Sequence, residues 1–387
     1  MGEQAALRLL APGRNIGQCR NIVNRVDVAV VGAGVTGLAV ARELAARGVS
    51  VAVVERERIA AGASGVQPGG VRQQWGTRVA CRLARESVAF WRDANERLDP
   101  RIPLELRACG YLFVAESDGT LERLRTNVAL QNEEGIPSRI VGPDEAAALV
   151  PGLEPSTLTG AAWCAEDGYF DRPQAVVEAF AGGIDIHQAE VTGLRRDGSG
   201  WIAGPLAAEA LVVAAGVDTP TLLAPLGIDL PIGCEDRHLF FSEPIRERLL
   251  EPLVVAAERG FAAKQLADGR VLASDLRARG DAESGRELWR ATIRNASEAL
   301  LPQLTHVSYP LLVAGIYDVT PDHQPILGPV ADGLLVAAGF SGHGFMIAPA
   351  VARITADALA GERDPVLDVL GADRFAAGRL VSEPQLV

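Results

Sequence analysis

Lysine is almost missing from this chain: Lys264 is the only one among 37 basic residues, the remainder being arginine. A GC-rich genome imposes such a bias, so the surviving lysine is worth following without proving a role. Cysteine is scarce as well. Cys19, Cys81, Cys109, Cys164 and Cys234 are odd in number, widely scattered and free of any C-x-x-C pair, which excludes a disulfide framework or a zinc site. That pattern suits a reducing compartment, and a cytoplasmic location is the expectation. No apolar run approaches the roughly 20 residues of a membrane span. Net positive charge is lacking too: the formal balance is -12, which excludes a phosphate-binding nucleic-acid partner and disfavours anionic lipid. Low-complexity tracts and repeats are absent, and residues 1–25, with four arginines and one acid, read as an N-terminal extension.

What is present begins with "VDVAVVGAGVTGLAVARELAARGVSVAVVERE". Val26 to Val31 form a β-branched run suited to a buried parallel strand. A glycine turn follows, then a helix with Leu38, Ala41, Leu44 and Ala45 on its apolar positions, a stop at Gly48, and a second strand from Val49 to Val54. Gly32 permits the tight turn, Gly34 lets backbone approach a pyrophosphate, and Gly37 lets helix and strand pack closely. The amides of Val35 and Thr36 then open a helix N-terminus that favours phosphate charge. Glu55, followed by Arg56, ends the second strand where a carboxylate accepts a ribose hydroxyl and repels a 2'-phosphate. These parts in register over thirty residues predict a dinucleotide site.

Later segments choose between nicotinamide and flavin. "AAGASGVQPGGVRQQWG" offers the backbone of Ala63, Gly69 and Gly70 and the Ser64 hydroxyl to a diphosphate or a ring edge, where a nicotinamide enzyme continues with another crossover. A hairpin from Val191 to Gly204 leads into "AEALVVAAGVDTP", an apolar strand ending at Ala215 and Gly216. In "LLVAAGFSGHGFMIAPAVARITADALAG" a strand passes through Gly342-His343-Gly344 into a helix beginning with Phe345 and Met346. Amides at such a helix start stabilise the negative charge that gathers on a flavin pyrimidine edge during reduction. The isoalloxazine ring is therefore expected against this loop. His343 itself has two readings, a group at the ring or a buried histidine bonded to backbone.

Together with "DGYFDRPQAV", "GIYDVTPDHQPILG" and "GFSGHGFMIAP", these segments resemble the D-amino-acid oxidase and sarcosine oxidase superfamily of FAD-dependent amine oxidoreductases, from Val26 to Gly361. Within it the chain resembles sarcosine oxidase beta-type and dye-linked proline dehydrogenase beta-type subunits and their opine- or glycine-oxidising relatives. The resemblance implies the α/β class, with a Rossmann-like FAD-binding domain (26–95, 161–217 and 310–365) interleaved with an α+β substrate domain built on an antiparallel sheet (96–160 and 218–309). A C-terminal tail, 366–387, would follow.

It also implies oxidation of a C–N bond next to a carboxylate, with the substrate an amine or amino acid and the acceptor oxygen or another carrier. Arg72 in "GGVRQQ" is the candidate carboxylate ligand, because a guanidinium fork binds carboxylates bidentately and the matching arginine in sarcosine-oxidising relatives looks like such a ligand. Its alternative is a surface arginine or a partner for Glu86. Trp75 could supply an apolar wall and Tyr317 a hydroxyl tip. Gly315 stands where some members carry a flavin-linking cysteine, and no histidine lies between Glu55 and Arg72, so FAD is expected to be noncovalent. Met346 replaces a second cationic ligand, which weakens any claim to sarcosine and suggests a less polar substrate end. Lys264 falls on a predicted strand near the substrate, either as an aid to carboxylate binding or oxygen reactivity or as a solvated strand-end amine. Asp322 and His323, adjacent on an extended segment, point opposite ways and are assigned no metal. A second class remains beside the enzyme: a flavin-bearing subunit or assembly protein of a homo- or heteromeric complex with little activity alone.

Overall fold

The computed structural model describes residues 24–384. The expected extension at 1–25 therefore lies outside the described residues except for its last two, which open the first strand.

Asn24–Val31 is the axis of an eight-stranded sheet. It pairs in parallel with Val51–Glu55 on one side and Leu206–Val213 on the other. Asp185–Gln188 continues the parallel set beyond Val51–Glu55, and Leu334–Ala338 pairs in parallel with Leu206–Val213. The hairpin expected after Val191 is the antiparallel run Leu194–Asp197, Gly200–Ala203 and Leu206–Val213. Helices Val35–Ala46 and Gly344–Leu359 pack together on one face, with Val28, Val30, Leu38, Ala41, Leu44 and Val212 in their shared core. Burial of each such valine or leucine stabilises the fold by about 1.5–3 kcal/mol. Gly48, at φ +81°, takes the left-handed conformation that stops the first helix.

A second eight-stranded sheet lies beside the first, in the order Leu311–Val319, Gly233–Phe241, Val271–Asp275, Phe261–Gln265, Leu253–Ala256, Tyr111–Ala115, Gly160–Cys164 and Arg139–Val141. Helix Ala282–Leu300 covers one face through Trp289, Ile293 and Leu300. Two boundaries differ from the sequence expectation. Gly160–Cys164 and Leu311–Val319, the starts of segments expected in the nucleotide-binding unit, belong to this second sheet. Leu311–Val319 pairs along its whole length with Gly233–Phe241, so its backbone is satisfied there and the chain crosses to the first sheet only afterwards.

The expected tail at 366–387 is also partly structural. Val366–Leu370 and Asp373–Ala376 are short helices, and Arg374 is fully buried in a two-bond pair with Asp322 at 2.8 and 3.0 Å. Asp322 is thus the anchor of this segment.

Candidate active site

Four parallel strands end together, and their C-terminal ends bound one cavity of about 700 Å³. Val31 and Gly32, Val54 and Glu55, Ala214, and Ala337 contribute from the ends of four different strands. Ligands of open α/β sheets bind at this edge.

The glycine turn has the shape the sequence demanded. Gly32 has φ +107°, and a Cβ there would stand 2.4 Å from the Ala214 carbonyl oxygen. Gly37 does not line the cavity; a Cβ on it would meet the Gly32 carbonyl at 2.1 Å, so it serves close packing. Gly34, Val35 and Thr36 line the cavity at the helix start. Glu55 is held in place by the Ala33 amide, which donates to Oε2 at 2.8 Å, and the Glu57 amide, which donates to Oε1 at 2.9 Å. Ser64 Oγ accepts from the Val35 amide at 2.9 Å, leaving its own proton to donate to an acceptor. Arg56 pairs with Asp218 at 3.0 Å along the rim. Ala63, Val191, Ala215, Gly216, Gly315, Gly342, Gly344 and Phe345 also line the cavity. Gly69, Gly70, His343 and Met346 do not, although all were nominated with them. Gly69 and Gly70 instead permit close backbone packing: a Cβ on Gly69 would lie 2.5 Å from the Phe170 carbonyl, and one on Gly70 2.7 Å from the Tyr111 hydroxyl.

The loop before helix Gly344–Leu359 is fixed by Asp318, which lies in the segment "GIYDVTPDHQPILG" without that motif assigning it a role. Asp318 Oδ2 accepts from the Gly339 amide at 2.7 Å, and its carbonyl accepts from Ser341 at 2.8 Å. Ser341 is thereby held at φ +52°, a costly conformation for a residue with a Cβ. Burial pushes the Asp318 carboxyl up to about 6. Gly344 and Phe345 line the cavity at the start of this helix, where the first amides lack the intrahelical acceptors of later turns.

Behind that loop lies a stack. The Arg72 guanidinium sits 3.6 Å from the centre of the Trp75 ring, and Trp75 lies 4.3 Å from the His343 ring. Arg72 donates to the Gln74 carbonyl at 3.0 Å. It is neither on the surface nor paired with Glu86, which instead binds Arg353. Nor is it among the residues lining the cavity. Its charge reaches the Tyr111 and Tyr317 hydroxyls electrostatically from behind. Burial, then Arg72 and His323, hold His343 well below the usual imidazole range, so it is neutral, and its Nε2 has no partner among the described residues. Asp167, fully buried and pushed up to about 6, supports the stack by accepting from the Gln73 amide at 2.9 Å and Gln74 Nε2 at 3.1 Å.

A smaller chamber of about 90 Å³ opens beside the first cavity. Ala63, Val66, Gln67, Gly315, Ile316 and Tyr317 line both, so the two spaces meet there. The chamber's roof is the second sheet, whose alternation turns Phe261, Ala263, Val271 and Ala273 towards helix Ala282–Leu300 and leaves Ala262, Lys264, Leu272 and Ser274 on the opposite, chamber side. Lys264 is therefore not a solvated amine. It is fully buried, lies 3.9 Å from the centre of the Tyr169 ring, donates to the Pro68 carbonyl, and is pulled down to about 7 by burial. Sequence reasoning missed Tyr111, Arg237 and the apolar chamber wall. Only strand alternation together with a known pairing register could have found them.

A strand-end cavity of this size, with a glycine turn, an acid at the end of the second strand and a contiguous second chamber, defines a dinucleotide-binding oxidoreductase. The cradle fits FAD, because one cavity of about 700 Å³ runs from the glycine turn and the Glu55 carboxylate to the loop at Gly342 and Gly344. The chain belongs to the FAD-dependent oxidoreductase family, whose match spans residues 27–358. It is 30% identical to glycine oxidase from Pseudomonas aeruginosa over 372 residues, covering 91% of this chain and 99% of that protein. It is 25% identical to sarcosine oxidase subunit beta from Rhodobacter capsulatus, covering 93% and 91%. Among solved structures, L-proline dehydrogenase from P. horikoshii superposes with a TM-score of 0.85 at 27% identity, covering 92% of this chain and 99% of that one. No described helix is long and apolar enough to cross a membrane.

Proposed function

We propose that this protein oxidises the C–N bond of an amino acid or N-substituted amino acid, giving an imine that water hydrolyses to a carbonyl compound and an amine. The observation that carries this reading is the junction of the two cavities at Gly315, Ile316 and Tyr317, which places a small, largely apolar chamber against the end of the FAD cradle. FAD, when bound, supplies the two-electron acceptor for the hydride leaving the α-carbon. The chain's own residues bind, orient and exclude water. Amides at the start of helix Gly344–Leu359 hold negative charge at the cavity end. Tyr317 presents its ring and hydroxyl between the two spaces. Arg72, from behind the tyrosines, contributes positive potential to the chamber, and neutral His343 packs the Trp75 stack against the loop. Noncovalent FAD is supported by Gly315, where a Cβ would stand 2.5 Å from Val66. Free thiols at Cys81, Cys109, Cys164 and Cys234 favour a reducing, cytoplasmic setting; Cys19 lies outside the described residues.

The test is anaerobic addition of a panel of amino acids and N-alkyl amino acids to the FAD-loaded protein, followed by oxygen. Bleaching by one class supports the reading, and the rate of colour return separates an oxidase from an enzyme using another acceptor. Absence of bleaching by every amine contradicts it. A second reading, a flavin-bearing subunit of a larger complex, draws on the edge strand Leu311–Val319, where Leu311 is exposed. Bleaching only after a partner chain is added would favour it.

A further inference from the structure

The strand Gly233–Phe241 presents two different faces. His238 stacks on Trp289 at 4.0 Å and Phe240 joins the core under helix Ala282–Leu300, while Arg237 and Leu239 turn the other way, into the chamber. Directly across the antiparallel pair from Arg237 stands Gly315. With no side chain opposite it, the guanidinium lies over the neighbouring strand, 4.9 Å from the centre of the Tyr317 ring. Gly315 and Tyr317 line both cavities, so this cation stands at their junction.

Its surroundings leave it electrostatically positive. Glu235 meets Nη1 at 2.8 Å and the Asp236 carbonyl accepts from the same nitrogen at 3.2 Å. That Glu235 carboxylate is shared with Arg279 at 3.1 Å, so two guanidinium groups divide one acid. Both contacts of Arg237 use Nη1, and the edge formed by Nε and Nη2 is the one suited to a carboxylate fork. No aspartate or glutamate is among the residues lining the chamber; Leu239, Leu253, Ala262, Leu272, Leu276 and Val313 make most of its wall, with the neutral polar groups of Gln67, His238, Ser274, Tyr111 and Tyr317 between them. Of the other two cations, Arg72 lies outside the lining and Lys264 is committed to the Pro68 carbonyl and the Tyr169 ring.

We propose that Arg237 receives the substrate carboxylate at the junction of the two cavities, and that the chamber selects amino acids whose side chain or N-substituent is apolar and uncharged. This rests on the amine-oxidising reading above and adds its substrate class. An ammonium-bearing side chain would meet the charge of Arg237, and a second carboxylate would face the mostly aliphatic wall.

The experiment separates the two claims by using a ligand that cannot react. Isobutyrate and isobutyramide are titrated into the FAD-loaded wild type, Arg237→Gln and Arg237→Lys, and binding is read from the change in flavin absorbance. The wild type binds the acid more tightly than the amide. Arg237→Gln loses roughly 10- to 100-fold in acid affinity, in line with losing a charged hydrogen-bonded contact, with the amide unchanged and flavin content intact. Arg237→Lys recovers part of the acid preference. Equal acid and amide binding in the wild type, or the same acid preference in Arg237→Gln, overturns the assignment. These outcomes do not depend on turnover, so they stand apart from whether any amine bleaches the flavin.

Discussion

Replacing Lys264 with methionine isolates the consequence of burying the chain's one lysine. In the fold its ammonium is pulled from an ordinary 10.5 down to about 7 by burial, with one hydrogen bond to the Pro68 carbonyl and the Tyr169 ring as compensation. Between those values the unfolded chain holds the proton and the folded chain has released it. Because stability rises with pH wherever the unfolded state binds more protons, the wild type gains stability as pH rises through this window. Each unit of difference in pKa is worth about 1.4 kcal/mol, and allowing for half-titration near neutrality the gain from pH 7 to pH 9 is about 2 kcal/mol. The methionine variant has nothing to titrate at this position. Urea denaturation of both proteins at saturating FAD, followed by tryptophan fluorescence at pH 7, 8 and 9, measures the difference. The wild type should move up relative to the variant by that amount, whatever their offset at pH 7. A gap that stays constant across the range means the amine remains charged inside the fold, and refutes the reasoning.

Three further outcomes are expected. Gly342→Ala, which would force a Cβ to 2.3 Å from the Tyr317 ring at φ +92°, weakens FAD binding by at least about tenfold, measured by flavin fluorescence titration. Asp167→Asn removes a pH slope of opposite sign: its folded value of about 6 exceeds the ordinary 3.8, so the wild type is favoured below about pH 4 and loses up to about 3 kcal/mol relative to the variant as pH rises through 6. Parallel denaturation curves from pH 4 to 7 check it. Arg374→Ala leaves Asp322 buried without its partner and destabilises the protein by about 3–5 kcal/mol, although both residues lie outside the cavities.

The nucleotide side of the molecule was legible because its demands are local. A parallel strand, a glycine turn and a helix N-terminus occupy consecutive residues, and the backbone of Gly32 cannot take that path with a Cβ. Three of the other four parallel strands could be read by their apolar runs, each ending where the cavity begins, whereas the polar edge strand Asp185–Gln188 could not. The substrate side was much less legible. Arg237 lies in a strand with no motif, and its position at the junction depends on Gly315 standing opposite, a register set by the pairing of segments some eighty residues apart. Arg72 lay in a recognisable motif but its direction did not follow from it: the turn at Gln73 and Gln74, tied down by Asp167, aims the guanidinium at Trp75. Lys264 and Asp322 show the same limit, since a lone charged residue carries no local sign of burial, and a distant carbonyl or arginine supplies the compensation.

The central claim is that the ends of separate parallel strands close around one FAD molecule and hold its reacting end against the chamber. Equilibrium dialysis of the purified chain with FAD, with the visible spectrum taken on the retained material, tests it most directly. One FAD retained per chain, with its absorbance displaced from that of free FAD and displaced again by isobutyrate, is the predicted result. Folded protein that retains no FAD, or whose bound FAD is indifferent to every small carboxylate, would contradict the account.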